Sequence, residues 1–176
     1  MHKNFKNIDK VVFGRGSFGD LDAILSEKRS HNNGFFLFIV DHFFKGKSLE
    51  KRLPVLKGDV VLFIDVDVHE PTTDQIDLIR DNVLKENGLP SGVIGIGGGS
   101  IMDIAKAASL MFTNEGPSTL YQGLNLIKKP GIYHLGVPTL SGTGAECSMT
   151  AVLTGPEKKT GIEMRLDCFQ SSDSGS

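Results

Sequence analysis

The sequence has little of several features that mark specialised classes of protein. It contains no tryptophan and only two cysteines, Cys147 and Cys168, among 176 residues. Their spacing fits neither a zinc site nor a redox pair, and two cysteines do not make a disulfide scaffold. No apolar run approaches the roughly 18 residues of a transmembrane helix, and the N-terminus lacks the regions of a secretory signal peptide. We therefore expect a cytoplasmic protein with no membrane partner.

An excess of charge of one sign is also missing. The 19 basic and 21 acidic residues leave a formal net charge of -2, so the electrostatic footprint of a nucleic-acid-binding protein is absent. Apolar residues make up 39% of the chain, and 21 glycines bring the total into the usual globular range. These values predict one ordinary domain with a sizeable core.

Apolar runs alternate with helix-like stretches along the chain. Apolar runs of strand length predict strands at residues 10–14, 34–41, 59–66, 91–97 and 131–139. Apolar residues at helical spacing predict helices at residues 18–29, 72–88 and 100–112. Strands that are apolar throughout and separated by helices are typical of a parallel sheet covered on both faces. The pattern therefore predicts an α/β fold with a doubly wound, mostly parallel, Rossmann-like sheet.

The first of two glycine-rich loops is "GRGSFG", from Gly14 to Gly19. It fits the G-x-G-x-x-G spacing between a predicted strand and a predicted helix. Asp41 ends the next apolar strand, where a carboxylate binds the ribose in dinucleotide-binding domains. The alternative is a tight strand-to-helix turn that binds no ligand.

The second loop is "GIGGGSIMDIAKA", at residues 95–107. It has side-chain-free backbone before a helix, where a pyrophosphate can approach the amides and the positive helix N-terminus. Ser100 can cap the helix and donate a hydroxyl group. Asp103 and Lys106 share a helix face, and a local ion pair is the simplest explanation of that spacing. The candidate phosphate-binding residues of this loop are Gly97, Gly98, Gly99 and Ser100.

A third loop, "PTLSGTGAE" at residues 138–146, favours the second glycine loop as the phosphate site. It follows a predicted strand and carries three hydroxyl groups, those of Thr139, Ser141 and Thr143. Such a loop at the carboxyl end of a strand suits contacts with phosphate or with the nicotinamide ribose. A plain turn is the alternative.

"GGGSIMDIAK" followed by "PTLSGTGAE" resembles the iron-type (group III) alcohol dehydrogenases over about residues 5–162. The family pattern is GGGS-x-x-D-x-A-K followed by P-T-x-x-G-T-G-[SA]-E. The resemblance implies an NAD-binding domain at residues 1–162 and a nicotinamide dinucleotide as cofactor. It assigns "GRGSFG" to a structural turn.

The resemblance also implies roles for individual residues. The three glycines, Gly97 to Gly99, would hold the pyrophosphate, with Ser100 and Asp103 beside it. Thr139, Ser141 and Thr143 would approach the phosphates and the nicotinamide side. Asp41 would meet the adenine ribose, which favours NAD over NADP.

Residues 121–146 are more similar to one branch of the family, the 3-deoxy-octulosonate 8-oxidases. Those enzymes oxidise the terminal alcohol of a sugar acid to an aldehyde, which would place the protein in lipopolysaccharide biosynthesis. Two alternatives stay open. A dehydroquinate-synthase-like lyase shares the glycine loop but not the "PTLSGTGAE" form, and a nucleotide-binding module would have no catalytic activity.

In this family a second, helical domain supplies an Asp and three His ligands to a divalent metal, zinc or iron. The five histidines here form no H-x-x-x-H pair, and none follows His134; they are His2, His31, His42, His69 and His134. We therefore expect no metal site and no catalytic residue in this chain. By itself the chain should be inactive and self-associate, whereas the full-length form should be a homodimer.

The last residues depart from the family pattern. After "KKTGI" the resemblance leads us to expect a strand, but residues 163–176 are polar and carry no apolar strand. We interpret them as a disordered tail outside the family domain. A shifted reading frame over Asp167–Ser176 can encode a family-like strand, so an out-of-frame tail is the hypothesis.

Overall fold

The computed structural model describes residues 8–31, 34–66 and 70–163. The helices are α1 (Leu21–His31), α2 (Thr73–Glu86) and α3 (Gly99–Met111). The strands are β1 (Phe36–Asp41), β2 (Val60–Ile64), β3 (Gly92–Gly97), β4 (Tyr133–Pro138), β5 (Thr150–Thr154) and β6 (Lys159–Glu163). Within these residues no helix has the length and apolar character needed to cross a membrane.

Four strands form a parallel sheet in the order β2-β1-β3-β4. The two central strands are buried on both faces, which explains their uninterrupted apolar sequence. Phe36, Phe38 and Val40 of β1 pack on the face covered by α1. Leu37 and Ile39 point to the other face, against α2 and α3. The predicted doubly wound α/β fold is confirmed.

The strand order reverses direction between β1 and β3. From β1 the chain moves outward to β2, crosses back through α2 to β3, and continues outward to β4. A crevice opens beyond the carboxyl ends of two adjacent strands at such a reversal, and ligands bind there in open α/β sheets. The topology thus places the candidate site next to Asp41 and Gly97, the last residues of β1 and β3.

One predicted strand is wrong. Residues 10–13 form no regular secondary structure, and Val11 and Phe13 are 70% and 97% exposed. Their sequence is apolar enough for a strand, but a strand also needs a neighbour to take up its backbone hydrogen bonds, and none of the described strands pairs with this segment.

A small hairpin, β5–β6, lies beyond the main sheet. The sequence pattern did not reveal it, although Ala151 and Leu153 alternate with the more exposed Val152 as expected for a half-buried strand. Ala151 and Leu153 extend the core beneath α3. The Thr154 amide donates to the Pro71 carbonyl at 2.8 Å, which anchors the hairpin before α2.

His134 lies on β4, where its Nε2 atom is shielded from solvent. No described residue offers that atom a hydrogen bond. Burial, together with the nearby positive charge of Lys106, lowers the pKa of His134 to about 4. The imidazole is therefore neutral in the folded protein at neutral pH.

We expect His134 to make the fold less stable in acid. Between about pH 6.5 and about pH 4 the unfolded chain binds a proton that the folded chain refuses, so the free energy of unfolding falls as the pH falls, by about 3 kcal/mol in total. Urea unfolding at several pH values in this range should show a slope in the free energy of unfolding against pH, and His134→Leu should remove this slope. His42→Leu, at an exposed position, is the control and should keep it. An unchanged slope in His134→Leu would contradict the assignment.

Candidate functional site

The carboxyl ends of β1, β3 and β4 lie side by side and form the floor of the crevice. Gly97 is in register with Pro138, the last residue of β4. The amide of Thr139, the next residue, donates to the Gly97 carbonyl at 2.9 Å. A Cβ atom built on Gly97 would lie 3.0 Å from the Cβ of Asp41. The structure therefore brings Asp41, the glycine loop and the start of the hydroxyl-bearing loop together.

The glycines at the end of β3 let α3 pack closely against the strand. A Cβ atom on Gly95 would lie 2.6 Å from the Cβ of Ala105. One on Gly97 would lie 2.7 and 2.8 Å from the Cγ1 and Cβ atoms of Ile101. Packing between strand and helix thus accounts for both glycines without any ligand.

The next two glycines are not packed tightly against the fold. A Cβ atom on Gly98 would meet only Leu140, at 3.6 Å, and one on Gly99 only Ala145, at 4.0 Å. Gly98 has φ -80° and ψ -173°, a conformation open to any residue. Neither packing nor backbone geometry requires glycine here, so the missing side chains leave room for something outside the fold.

The N-terminus of α3 opens into the same space. Gly98 caps the helix without a side-chain hydrogen bond, and the first turn contains no acidic residue. Ser100 lies partly exposed in that turn. The first amides of a helix have no partner within the helix, and the aligned peptide dipoles make this end positive. The geometry suits an anionic group such as a phosphate.

The hydroxyl-bearing loop borders the other side of the crevice. Thr139 is half-buried, whereas Ser141 and Thr143 are exposed. Gly144 adopts a left-handed conformation with φ 73°, which turns the chain into a short 3₁₀ helix, Ala145–Cys147. The three predicted hydroxyl groups thus all lie on one connection that starts beside Gly97.

Asp41 has its carboxylate oriented by the backbone. One of its oxygens accepts a hydrogen bond from the Phe43 amide at 2.9 Å, and the side chain is half-buried. Lys47 Nζ lies over the Phe43 ring, 2.9 Å from its centroid. The carboxylate is therefore held at the end of β1, with a cationic side chain close to the residue that orients it.

Asp103 and Lys106 do form the local ion pair that their spacing suggested. Lys106 Nζ lies 3.9 Å from Asp103 Oδ1. Burial raises the pKa of Asp103, although Lys106 and a hydrogen bond from the Val152 amide oppose the rise. Burial lowers the pKa of Lys106, while Asp103 and Glu146 oppose the fall. The role of Asp103 beside the cofactor stays a prediction.

Lys106 has further partners that sequence reasoning missed. Its ammonium group donates to the Ala145 carbonyl at 2.7 Å, to Ser148 Oγ at 3.0 Å and to the Thr150 carbonyl at 2.9 Å. The residue is 1% exposed in the middle of an otherwise apolar stretch. A lone lysine among buried apolar positions was the available signal, since a buried charge must find partners.

The "GRGSFG" loop has the geometry of a turn. The amides of Ser17 and Gly19 donate to the carbonyls of Gly14 and Gly16 at 3.2 and 2.8 Å, so the turn itself uses them. Gly14 and Gly16 have φ 145° and 88°, which accounts for glycine at both positions. The strand that should precede a dinucleotide fingerprint is missing, which favours the interpretation as a structural turn.

Two histidines have side chains that the structure describes, and they lie on different elements. His42 is exposed directly after Asp41, and His134 is on β4. The side chains of the other three lie outside the described residues. Across the described part of the chain, no group of three His, Cys, Asp or Glu side chains is placed to hold a metal ion.

Comparison with known proteins gives one family. The model of the family described as "Iron-containing alcohol dehydrogenase" matches residues 9–171. The sulfoacetaldehyde reductase of Bilophila wadsworthia is 43% identical over 107 residues, which are 61% of this chain and 27% of that protein. The NAD-dependent methanol dehydrogenase of Bacillus methanolicus is 30% identical over 152 residues, which are 84% of this chain and 38% of that protein. The chain thus spans well under half the length of these relatives.

Solved structures share the fold. The crystal structure of the sulfoacetaldehyde reductase from Bifidobacterium kashiwanohense in complex with NAD+ aligns with a TM-score of 0.74 at 21% sequence identity. The alignment covers 94% of this chain and 44% of that one. At this identity the likeness shows a common fold.

We expect Gly97 and Gly98 to respond differently to an added methyl group. Gly97→Ala should lower the free energy of unfolding by about 1–3 kcal/mol, because the new Cβ atom overlaps Ile101 in a packed interface. Gly98→Ala is the matched control and should stay within about 0.5 kcal/mol of the wild type. Urea denaturation of both variants measures the difference. Equal losses in the two variants would contradict the packing role of Gly97.

Proposed function

Because the chain belongs to the iron-containing alcohol dehydrogenase family, we propose that its crevice binds the nicotinamide dinucleotide of an NAD-dependent oxidoreductase acting on alcohols. The observation that carries the proposal is the absence of tight packing at Gly98 and Gly99, at the N-terminus of α3, which has no side-chain cap. A helix N-terminus with glycines that the packing does not require supports binding of an anion there. Family membership favours this function over a dehydroquinate-synthase-like lyase and over a nucleotide-binding module that has no catalytic activity.

The residues around the crevice suit the parts of such a cofactor. The backbone of Gly97, Gly98 and Gly99 would hold the pyrophosphate, with the Ser100 hydroxyl beside it. Asp41 would accept hydrogen bonds from the adenine ribose. Thr139, Ser141 and Thr143 would lie towards the nicotinamide. When bound, the cofactor would accept or donate the hydride, and the chain's own groups would bind and orient it.

The described residues do not fit a metal site, since they bring together no set of three ligating side chains. We propose that the metal ligands of the family come from a separate helical domain. The described residues would then form the cofactor domain, which we place at residues 1–162. The tail beyond it, together with its frame-shift hypothesis, lies almost wholly outside the described residues.

The finer assignments stay predictions. Oxidation of the terminal alcohol of 3-deoxy-octulosonate depends on the resemblance of residues 121–146 alone, whereas the two relatives compared above are named for sulfoacetaldehyde and methanol. Screening the chain for NADH formation with these three substrate classes, with and without added zinc or iron, would test substrate and inactivity together. We expect none of them to be turned over by this chain alone.

We expect Gly98→Val to abolish NAD binding while the fold is kept. Its side chain would occupy the space where the phosphates approach the helix, and a Cβ atom there would be in ordinary contact with Leu140 at 3.6 Å, without overlap. Titration calorimetry with NAD measures the loss. Gly19→Val is the control in "GRGSFG", where a Cβ atom would meet no other atom within 4 Å. If Gly19→Val abolishes binding and Gly98→Val does not, the phosphate site belongs to the first loop.

We expect Asp41→Asn to shift cofactor preference towards NADP. The amide oxygen can keep the hydrogen bond from the Phe43 amide, so the variant removes mainly the charge that repels a 2′-phosphate. Two unit charges about 4 Å apart interact by about 1 kcal/mol in water and by about 4 kcal/mol near a protein surface. The NAD-to-NADP affinity ratio should therefore fall by roughly fivefold or more.

The control for this shift is Glu86→Gln. Glu86 is exposed in the last turn of α2, which ends at the opposite edge of the sheet. The Glu86→Gln variant should leave the NAD-to-NADP affinity ratio unchanged in the same calorimetric titrations. A wild-type chain that binds the two cofactors equally well would contradict the role of Asp41, and so would an unchanged ratio in Asp41→Asn.

A further inference from the structure

We propose that Lys106 is a positioning residue that holds the hydroxyl-bearing loop, residues 138–146, in place for the nicotinamide side of the cofactor. The proposal rests on the proposed function, because it gives Lys106 a role in that same site. Lys106 does not reach the cofactor in this view. It acts through the loop whose far end it binds.

The hydrogen bonds of Lys106 account for its whole donor capacity. An ammonium group has three N–H donors and no acceptor. Here it meets three oxygens, the Ala145 carbonyl, Ser148 Oγ and the Thr150 carbonyl, at 2.7–3.0 Å. A buried charge is costly unless it is paired and hydrogen-bonded, and this one is both. Such a complete set fixes the segment against α3 more firmly than packing alone.

Asp103 binds the same segment one turn earlier on the helix. Its carboxylate accepts a hydrogen bond from the Val152 amide and supplies the negative charge beside the buried ammonium. The two charged residues of α3 therefore hold residues 145–152 through both donors and acceptors. The ion pair that seemed a local feature of the helix is part of a contact between helix and loop.

The other end of the loop is fixed by β3. The Thr139 amide donates to the Gly97 carbonyl at 2.9 Å. Between this bond and the Lys106 bonds the loop is exposed, and it carries Ser141 and Thr143. Both anchors belong to the β3–α3 unit, which also presents the phosphate site. Lys106 thereby sets the distance between the two halves of the crevice.

In this arrangement different residues would bind the two ends of the cofactor. Asp41 and Gly97–Gly99 would bind the adenosine and the phosphates, and the hydrogen bonds of Lys106 go to other residues. The hydroxyl-bearing loop would meet the nicotinamide side. Loss of the Lys106 ammonium should therefore weaken NAD binding and spare ADP, which lacks the nicotinamide half.

The test compares NAD and ADP binding by calorimetry in the wild type and in Lys106→Met, which keeps the length of the side chain without the charge. If the loop is correctly placed in about a tenth of the variant molecules, NAD affinity falls about tenfold. ADP affinity should change less than about twofold, as for a ligand that binds both loop states equally. Hydrogen exchange should become faster in peptides over residues 139–152 and stay unchanged in β1 and β3.

Two more variants keep the test decisive. Ser148→Ala removes one of the three acceptors from an exposed residue, so it should fold and show a smaller loss in the same direction. Lys85→Met, at an exposed position on α2, is the control and should change neither affinity. If Lys106→Met does not fold, Ser148→Ala carries the comparison.

The outcomes separate this proposal from the proposed function. Equal losses of NAD and ADP affinity, with faster exchange across the whole sheet, would show a general packing role and overturn the proposal. Unchanged NAD affinity in both variants would overturn it as well, while the cofactor site would stand. A wild-type chain that binds neither NAD nor ADP would contradict the proposed function, and the role of Lys106 at a cofactor site would fall with it.

Discussion

The close approach of α3 to β3 is the contact on which the crevice depends. It exists because Gly95 and Gly97 have no side chains where Ala105 and Ile101 pack against the strand. The same approach brings the start of the helix to the end of the strand with a single residue, Gly98, between them. A longer connection would move the positive end of the helix away from the sheet. The proposed anion site therefore depends on the close packing of α3 against β3, although the two glycines that would line it are not themselves needed for that packing.

The same helix distributes charge in an unusual way. Its buried residues are apolar apart from Lys106 and Ser109, and the hydroxyl group of Ser109 bonds to the backbone of its own helix. Lys106 instead reaches outside the helix to backbone and side-chain oxygens of a following segment. The ordinary cost of burying a cation is offset by three hydrogen bonds and by the nearby carboxylates of Asp103 and Glu146. One helix thereby connects the glycine loop at its start to the hydroxyl-bearing loop beyond β4.

The sequence predicted the sheet well because both faces of β1 and β3 are buried, which leaves uninterrupted apolar runs. The family resemblance assigned Asp41 and Gly97 to one cofactor, and the structure brings them close together because parallel strands end at one edge of the sheet. Residues 10–13 misled the prediction, because local apolarity does not reveal whether a partner strand is available. The β5–β6 hairpin was missed because its five-residue strands alternate too briefly to stand out. The partners of Lys106 could not be predicted at all, since they lie 39 to 44 residues further along the chain.

The strand order has a consequence for how the chain folds. β1 pairs with β3, although α2 and all of β2 lie between them in the sequence. Closing so long a loop costs entropy before any contact compensates for it, so sheets of this kind form slowly compared with helical bundles. During synthesis β1 emerges well before β3, so α1 and β2 are available to it earlier than its central partner. The crevice requires the ends of β1 and β3 side by side, so it can form only after the glycine loop has left the ribosome.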